Sequence, residues 1–380
     1  MIPILDLTRQ YSALKADLES ALLEVAESGQ YVLGKYVERF EKEIAAYLGV
    51  KHAIGCANGS DALYIAMEAL GIRAGDEVIT TPFTFVATSE AVNRAGASPV
   101  FADIDPVTFN IDVSKIEAKI TPRTKAILPV HLYGQPADMD ALMTLAKKHN
   151  LSVVEDCAQS IGATFGKQMT GAIGTIGCFS FFPTKNLGAM GDGGLLTTND
   201  DALAEKLKMI RVHGSKQRYL HEIFGINSRL DAMQAAVLSV KLPHLDSWAD
   251  GRRAVAKRYD ELLKPLVDAG LIETPVVGKN RTAVFHQYTI RIKGATGKWR
   301  DEVQAKLKDA GVMAMIYYPI PQYNQPTHAH LGCKASDYPQ TERTCAEVLS
   351  LPMFPELTAA EQQQVADALS GILVKQPVKA

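Results

Sequence analysis

KHAIGCANGSDALYIAMEAL, Lys51 to Leu70, places a strand, a turn and a helix end to end with almost no spacer. The small and branched residues of KHAIGCA predict a buried strand. Asn58-Gly59-Ser60 predicts the turn, and SDALYIAMEAL repeats its apolar residues at helical spacing. A strand that feeds directly into a helix is the repeating unit of a parallel sheet, because parallel strands need a covering crossover between them.

The alternation continues outward from this unit. DEVITT, SPVFADI, KAILPVHL and LSVVEDCA read as strands, and FVATSEAVNRA, VSKIEAKI and MDALMTLAKKHN as the helices between them. TIGCFSFF and GGLLTTN follow as strands and DALAEKLKMIRVHG as a helix. The expected fold is α/β, a mostly parallel sheet between helices, with its site at the carboxyl ends of the strands. After about residue 230 the pattern changes to a long helical run from Ser228 to Gly270, with Pro243 and Gly251 as expected interruptions. FHQYTIRI and VMAMIYYPI then read as strands, KWRDEVQAKLKDAG and TAAEQQQVADALSGIL as helices. The expected organisation is a large domain over residues 1–240, whose N-terminal segment is free to pack elsewhere, and a smaller α+β domain over residues 241–380.

Composition narrows the function classes. The chain has 380 residues, 47% hydrophobic and 22% charged, with a formal net charge of -2. That balance carries no basic footprint for nucleic acid. No apolar run approaches the ~18 residues of a membrane helix. Asp6 and Arg9 interrupt the N-terminal apolar residues, so no signal peptide is expected and a cytoplasmic location is. The five cysteines are scattered without a C-x-x-C pair, and the nine histidines lack H-E-x-x-H, so no metal site or disulfide framework is expected.

Three stretches carry residues suited to chemistry. In CANGSDAL a helix starts after a small-residue turn, which offers N–H groups and a positive dipole end to a phosphate, with the Ser60 hydroxyl beside them. Taken alone, ordinary N-capping by Asn58 or Ser60 accounts for the same residues, and Asp61 for dipole compensation. In VVEDCAQSIGA, Asp156 ends an apolar strand, where a carboxylate is costly unless it meets a cation. A protonated ring nitrogen would supply one, with Gln159 in reach of the same ring's hydroxyl; a cap for the following turn fits Asp156 equally well. In FSFFPTKNLGAMGDGG, Lys185 stands between an aromatic strand and a glycine-dense loop, five residues after Ser180. Apolar surroundings disfavour the ammonium and free its amine for a Schiff base. GAMGDGG lacks dinucleotide-loop spacing, and GATFGKQ has the wrong spacing for a P-loop and no Ser/Thr after its lysine. A phosphate turn, a strand-end Asp and a later Lys are together the parts of a pyridoxal 5'-phosphate site.

These motifs, in this order, resemble the DegT/StrS-type nucleotide-sugar aminotransferases, which are fold-type I pyridoxal phosphate enzymes. The resemblance runs from GQYVLGKYVERFEKEIAAYLG through ANGSDAL, GDEVITTPFTFVATSEAV, AILPVHLYGQPADMD, VVEDCAQSIGA, FSFFPTKNLGAMGDGG and GINSRLDAMQAAVL to YYPIPQYNQP and LSLPMFPEL. It implies that Lys185 binds the cofactor aldehyde and shuttles the proton, that Asp156 pairs with the ring nitrogen and that Gln159 contacts the ring oxygen. It also implies that Ser60 and Ser180, with backbone at Gly59 and Asp61, hold the phosphate, and that Phe85 stacks on the ring. Without the resemblance, core packing is the simpler reading of Phe85. Asn227 falls where the family reaches the neighbouring subunit's phosphate, which implies a homodimer with shared active sites; it also fits a helix N-cap. Arg229 fits an anionic part of the substrate or an interface ion pair. Tyr317-Tyr318 stands where the family often has His-Tyr near the sugar, which leaves the sugar preference open; Tyr317 also fits packing within the small domain.

The implied function is transfer of an amino group from L-glutamate to a nucleotide-linked keto-sugar, UDP- or dTDP-linked, at C3, in amino-sugar and polysaccharide biosynthesis. Amination at C4 of a 4-keto-6-deoxy sugar is the alternative. A sugar dehydratase of this fold carries histidine in place of the lysine, and a non-enzymatic dimeric regulator needs no Schiff-base lysine, so Lys185 with Asp156 and Gln159 speaks against both.

Overall fold

The computed structural model describes residues 1–375. Seven strands form the main sheet: β1 (His52–Cys56), β2 (Glu77–Thr80), β3 (Ser98–Phe101), β4 (Thr124–Leu128), β5 (Ser152–Asp156), β6 (Ile176–Ser180) and β7 (Gly194–Thr198). Their spatial order is β1-β7-β6-β5-β4-β2-β3. The neighbours from β6 to β3 run parallel, while β7 runs antiparallel to both β6 and β1. β2 is buried at every position and β5 at all but its first, as expected for strands covered on both faces.

Helices α1 (Leu7–Ser28) and α2 (Lys35–Leu48) precede this sheet, α3 (Gly59–Ala69), α4 (Ala87–Arg94) and α5 (Met139–His149) connect its strands, and α6 (Asp201–Ile210) follows the last of them. Their apolar faces and the strands between them close separate cores on the two sides of the sheet. α3 buries Ala62, Leu63, Ile65, Ala66, Met67 and Ala69, so it is held almost all round rather than by one stripe.

The long helical run divides where proline removes a donor: α7 (Ala232–Lys241) and α8 (Leu245–Asp268) flank a 3-10 turn at Leu242–His244. Gly251 does not interrupt α8. A Cβ there would lie 2.9 Å from Pro355 Cβ, so the glycine serves close packing. A second core follows, built on the antiparallel strands β8 (Ile272–Glu273), β9 (Tyr288–Ile292) and β10 (Val348–Leu351). α9 (Gly297–Asp309), α10 (Pro339–Glu347) and α11 (Ala359–Lys375) complete the described chain.

Two expected elements are corrected. VSKIEAKI forms two 3-10 turns, Val113–Lys115 and Glu117–Lys119; Ile116 is its one fully buried residue, and Val113 and Ile120 pack only partly buried against the same core, too short an apolar face to sustain a regular helix. VMAMIYYPI forms only isolated bridges, Val312 with Ile2 and Met315 with Ser350. Pro319 removes a donor there, and the chain turns inward toward a cavity instead of extending the sheet. The N-terminus crosses between the two cores. Ile2 pairs with Val312 and Met353 N–H donates to Ile4 O at 3.0 Å, after which α1 packs Leu14 and Leu18 against Val237 of α7.

Candidate active site

At the carboxyl ends of β1, β5 and β6 the chain encloses a cavity of about 570 Å³. Gly59, Ser60, Phe85, Asp156, Gln159, Ser180, Lys185, Tyr317 and Tyr318 all line it, as do Thr88, Arg252, His286 and Gln287. Asp61, Asn227 and Arg229 do not.

The turn after β1 is set by Asn58, whose Oδ1 accepts the Asp61 N–H at 2.8 Å. This cap uses the Asp61 N–H and leaves those of Gly59 and Ser60 open, as a helix first turn does. The Asp61 carboxylate turns away to Arg94 at 3.0 Å. A Cβ on Gly59 would sit 2.6 Å from Ser180 Cβ, so two stretches distant in sequence meet here only because residue 59 has no side chain. Ser180 Oγ accepts the Phe182 N–H at 3.3 Å, which leaves its own proton to donate. The result is a concave set of hydroxyl and N–H donors at a helix start, the chemistry of an anion cradle.

Asp156 is buried at the end of β5. Its Oδ2 accepts from Thr88 Oγ1 at 2.8 Å and its Oδ1 from the Ala158 N–H at 3.2 Å. Burial raises its pKa against the pull of these bonds and of the Lys185 charge. No cation touches it among the described residues, so a buried carboxylate faces the cavity without its counter-charge. Behind it, His131 Nε2 meets Glu155 Oε2 at 2.9 Å, and the Glu155 oxygens also accept the N–H groups of Gly171, Ile173 and Gly174. His131 Nδ1 accepts the Ala137 N–H. Cys157 lies close enough to His131 and Glu155 to suggest a metal triad. The imidazole and carboxylate are already committed to hydrogen bonds, so the cluster braces the end of β5.

Lys185 N–H closes a turn on Phe182 O at 2.8 Å. The following loop is pinned by Lys241 Nζ on Gly188 O at 2.7 Å and by Gln234 Oε1 on the Met190 N–H at 2.7 Å. Burial lowers the Lys185 pKa to about 8, with Asp156 pulling the other way. The amine is therefore far easier to deprotonate than that of a solvated lysine. His286, beside it, is held well below its usual pKa by burial and by the charges of Lys185 and Arg252.

Gln159 Oε1 accepts the Tyr133 N–H at 2.7 Å, and its Nε2 donates to the Tyr318 hydroxyl at 3.2 Å, which leaves one amide hydrogen toward the cavity. The Tyr133 hydroxyl bonds the carbonyl of Tyr317, which is joined to Tyr318 by a cis peptide. Phe85 is 57% exposed, so core packing does not explain it; Phe83, fully buried, takes that place. The Phe85 ring lies at the cavity wall with its centroid 6.3 Å from that of Tyr318. Asn227 is exposed, outside its own chain's cavity, and Arg229 is half-buried beside it.

Sequence reasoning missed Thr88, Arg252, His286 and Gln287. Thr88 sits in the FVATSEAVNRA helix with nothing local to mark it, and the others lie on the long helical run and at the start of FHQYTIRI, whose local pattern signals only helix and strand. A larger, shallower groove of about 780 Å³ runs along Asp105, Asp112, Glu117 and Asp138. These four acids are bound to neighbouring N–H groups, Lys148 or Arg281.

The arrangement can hold a phosphate, offer a free amine and set a carboxylate against a cationic ring atom. Residues 12–370 match the DegT/DnrJ/EryC1/StrS aminotransferase family. The chain belongs to that family. It is 54% identical to a "Pleiotropic regulatory protein" of Geobacillus stearothermophilus, over 97% of this chain and 98% of the relative. It is 47% identical to the UDP-N-acetyl-3-dehydro-alpha-D-glucosamine 3-aminotransferase of Acidithiobacillus ferrooxidans, over 98% of each. The crystal structure of DesV from S. venezuelae matches with a TM-score of 0.93 at 43% identity, over 100% of this chain and 99% of that one. The protein is a sugar aminotransferase of the α/β fold-type I class, and pyridoxal 5'-phosphate is the cofactor of its family. Among the described residues no helix is long and apolar enough to cross a membrane.

Proposed function

We propose that this aminotransferase moves the amino group of L-glutamate to C3 of a nucleotide-linked keto-sugar. One observation carries the reading. The free-amine-prone Lys185 and the cation-less carboxylate of Asp156 line one cavity, with the anion cradle of Gly59, Ser60 and Ser180 in the same wall.

These residues fit pyridoxal 5'-phosphate. The cofactor supplies an aldehyde that takes the amine and a ring that accepts an electron pair. The Lys185 Nζ would hold the cofactor through its aldehyde carbon and, once the donor's amine displaces it, would be the base and then the acid for the donor's Cα proton. Asp156 supplies the negative charge that keeps the ring nitrogen protonated, and Thr88 fixes its carboxylate. The open N–H groups of Gly59 and Ser60 and the two serine hydroxyls grip the phosphate, while Asp61 serves the site through the helix start that its N–H helps to cap. Gln159 turns its remaining amide hydrogen to the ring oxygen, and Phe85 offers a flat apolar face.

A homodimer with shared active sites completes the reading. Asn227 is exposed and points to no part of its own cavity, and nearby Phe224 and Tyr219 are 100% and 81% exposed. Large apolar groups left bare beside a polar reach are what a second copy would cover. In that assembly Asn227 meets the second copy's phosphate, and Arg229 lies toward its substrate. Tyr317 and Tyr318 form the sugar-facing wall. The C3 position rests on the similarity to the 3-aminotransferase of Acidithiobacillus ferrooxidans at 47% identity. The name of the relative at 54% identity favours a second reading, a regulator that retains the fold.

The test is the visible absorbance of the protein loaded with pyridoxal phosphate. L-Glutamate is expected to abolish the visible band, and a 3-keto nucleotide sugar to restore it. Restoration by 4-keto sugars alone would move the chemistry to C4. A band indifferent to every amino donor and sugar would leave the regulator.

A further inference from the structure

Arg252 lines the cavity from α8 and is only 4% exposed. A guanidinium carries five N–H donors. Here Nη1 alone is engaged, on the backbone carbonyls of Phe285 at 3.0 Å, His286 at 3.3 Å and Met353 at 3.1 Å. Nε and Nη2 have no acceptor among the described residues. Glu356 is the carboxylate whose charge Arg252 feels, and no hydrogen bond joins the two. Burying a guanidinium without an acidic partner is costly unless a ligand completes it. Arg252 also shares a narrow crevice with Lys185 and Leu5, continuous with the cavity. Gln287, next in sequence to the carbonyls that Arg252 grips, lines the same cavity and has an amide oxygen with no donor.

We propose that Arg252 is the receptor for the α-carboxylate of the amino donor. The inference rests on the aminotransferase reading above. In an α-amino acid the carboxylate is one bond from the carbon whose proton Lys185 must reach. Its receptor must therefore stand beside Lys185, deep in the cavity, and on the side away from the phosphate cradle. Arg252 shares a crevice with Lys185, is recessed in the cavity wall, and comes from α8, whereas the cradle residues Gly59, Ser60 and Ser180 come from the turn after β1 and the end of β6. Its planar fork suits a carboxylate bound through two parallel hydrogen bonds. A nucleotide diphosphate is a poorer match, since its charge is spread over two phosphates and Arg252 is one recessed guanidinium with Nη1 already tied to backbone carbonyls. The carbonyl ties hold the fork in place before the ligand arrives, which lowers the ordering cost of binding.

The test uses the full chain loaded with pyridoxal phosphate. Arg252→Gln is expected to raise the L-glutamate concentration that half-abolishes the visible band by roughly ten- to a hundredfold, the usual consequence of losing a charge-assisted bond. Binding of 2-oxoglutarate, read by calorimetry, weakens in step. The rate at which a keto-sugar restores the band stays within about twofold of wild type. Arg252→Lys retains the charge and the carbonyl ties, so it keeps the fold and recovers part of the affinity. Equal losses in both half-reactions, or an unchanged glutamate requirement, would overturn the proposal and leave Arg252 as a tie between α8 and the β10 exit. A loss confined to keto-sugars that bear their own carboxylate would overturn it in favour of the acceptor. If the wild-type band ignores glutamate, the donor assignment fails separately. Calorimetry with 2-oxoglutarate on wild type and Arg252→Gln then still decides whether Arg252 binds carboxylates.

Discussion

The two walls of the cavity are built from different kinds of sequence. The large-domain wall places its groups at strand ends and helix starts: the Asn58–Ser60 turn, Asp156 closing β5 and Lys185 just beyond β6. The opposite wall collects Leu5, Arg252, His286, Gln287 and Tyr317 from separated parts of the chain, held by backbone carbonyls and loop contacts. The first wall has local chemical signatures; the second is made by long-range packing. The same contrast separates two desolvated lysines, Lys241 buried and Lys185 half-buried. Lys185 and Lys241 both have their pKa lowered to about 8 by burial. Lys241 spends its ammonium on Gly188 O, whereas Lys185 has the cavity in front of it and only the field of Asp156 to hold its charge. Burial alone does not distinguish structure from chemistry; the missing partner does.

Substitutions can break this comparison. The largest effect is expected from Lys185→Ala. Transamination should fall by ~1,000-fold or more, with the visible band lost and the unfolding temperature nearly unchanged. A variant that still turns over would remove the lysine from the chemistry. Gly59→Ala comes next, because its Cβ would meet Ser180 Cβ at 2.6 Å. Overpacking of this kind costs about 1–3 kcal/mol. The strain falls on the cradle, so cofactor retention during dialysis should drop by roughly ten- to a hundredfold. Unchanged retention would mean that the phosphate is held elsewhere. The smallest effect is expected from Lys241→Met. The lost bond to Gly188 O costs about 1–3 kcal/mol, and relief of a buried charge offsets much of it. Stability by chemical denaturation should shift by about 1 kcal/mol or less, with the visible band retained. If Lys241→Met lost the band as Lys185→Ala does, the two lysines would not be separable in this way.

Much of the main sheet was legible because parallel strands buried on both faces are short apolar runs, and each crossover helix carries its own apolar periodicity. The stretches that failed were those whose local pattern was overridden. VSKIEAKI had one fully buried anchor, Ile116, with Val113 and Ile120 only partly buried beside it, and VMAMIYYPI was drawn toward the cavity by Tyr317 and Tyr318. Gly251 looked like a break and is a point of close contact with Pro355. In the site, Asp156 and Lys185 were readable because a charge at the end of an apolar strand is expensive and asks for a reason. Thr88 was not, since a threonine on a helix costs nothing until Asp156 stands 2.8 Å away.

By itself the sequence determined which residues carry unusual charge or backbone freedom, and the order of strands and helices that delivers them to one edge of a sheet. Those properties are local, set by side-chain chemistry and by the periods of helix and strand. Only the tertiary structure decided that Gly59 touches Ser180, that the N-terminal segment and α8 close the far wall, and that Arg252 is left with unspent donors. These depend on contacts between residues tens to hundreds of positions apart, for which nearby sequence carries no record.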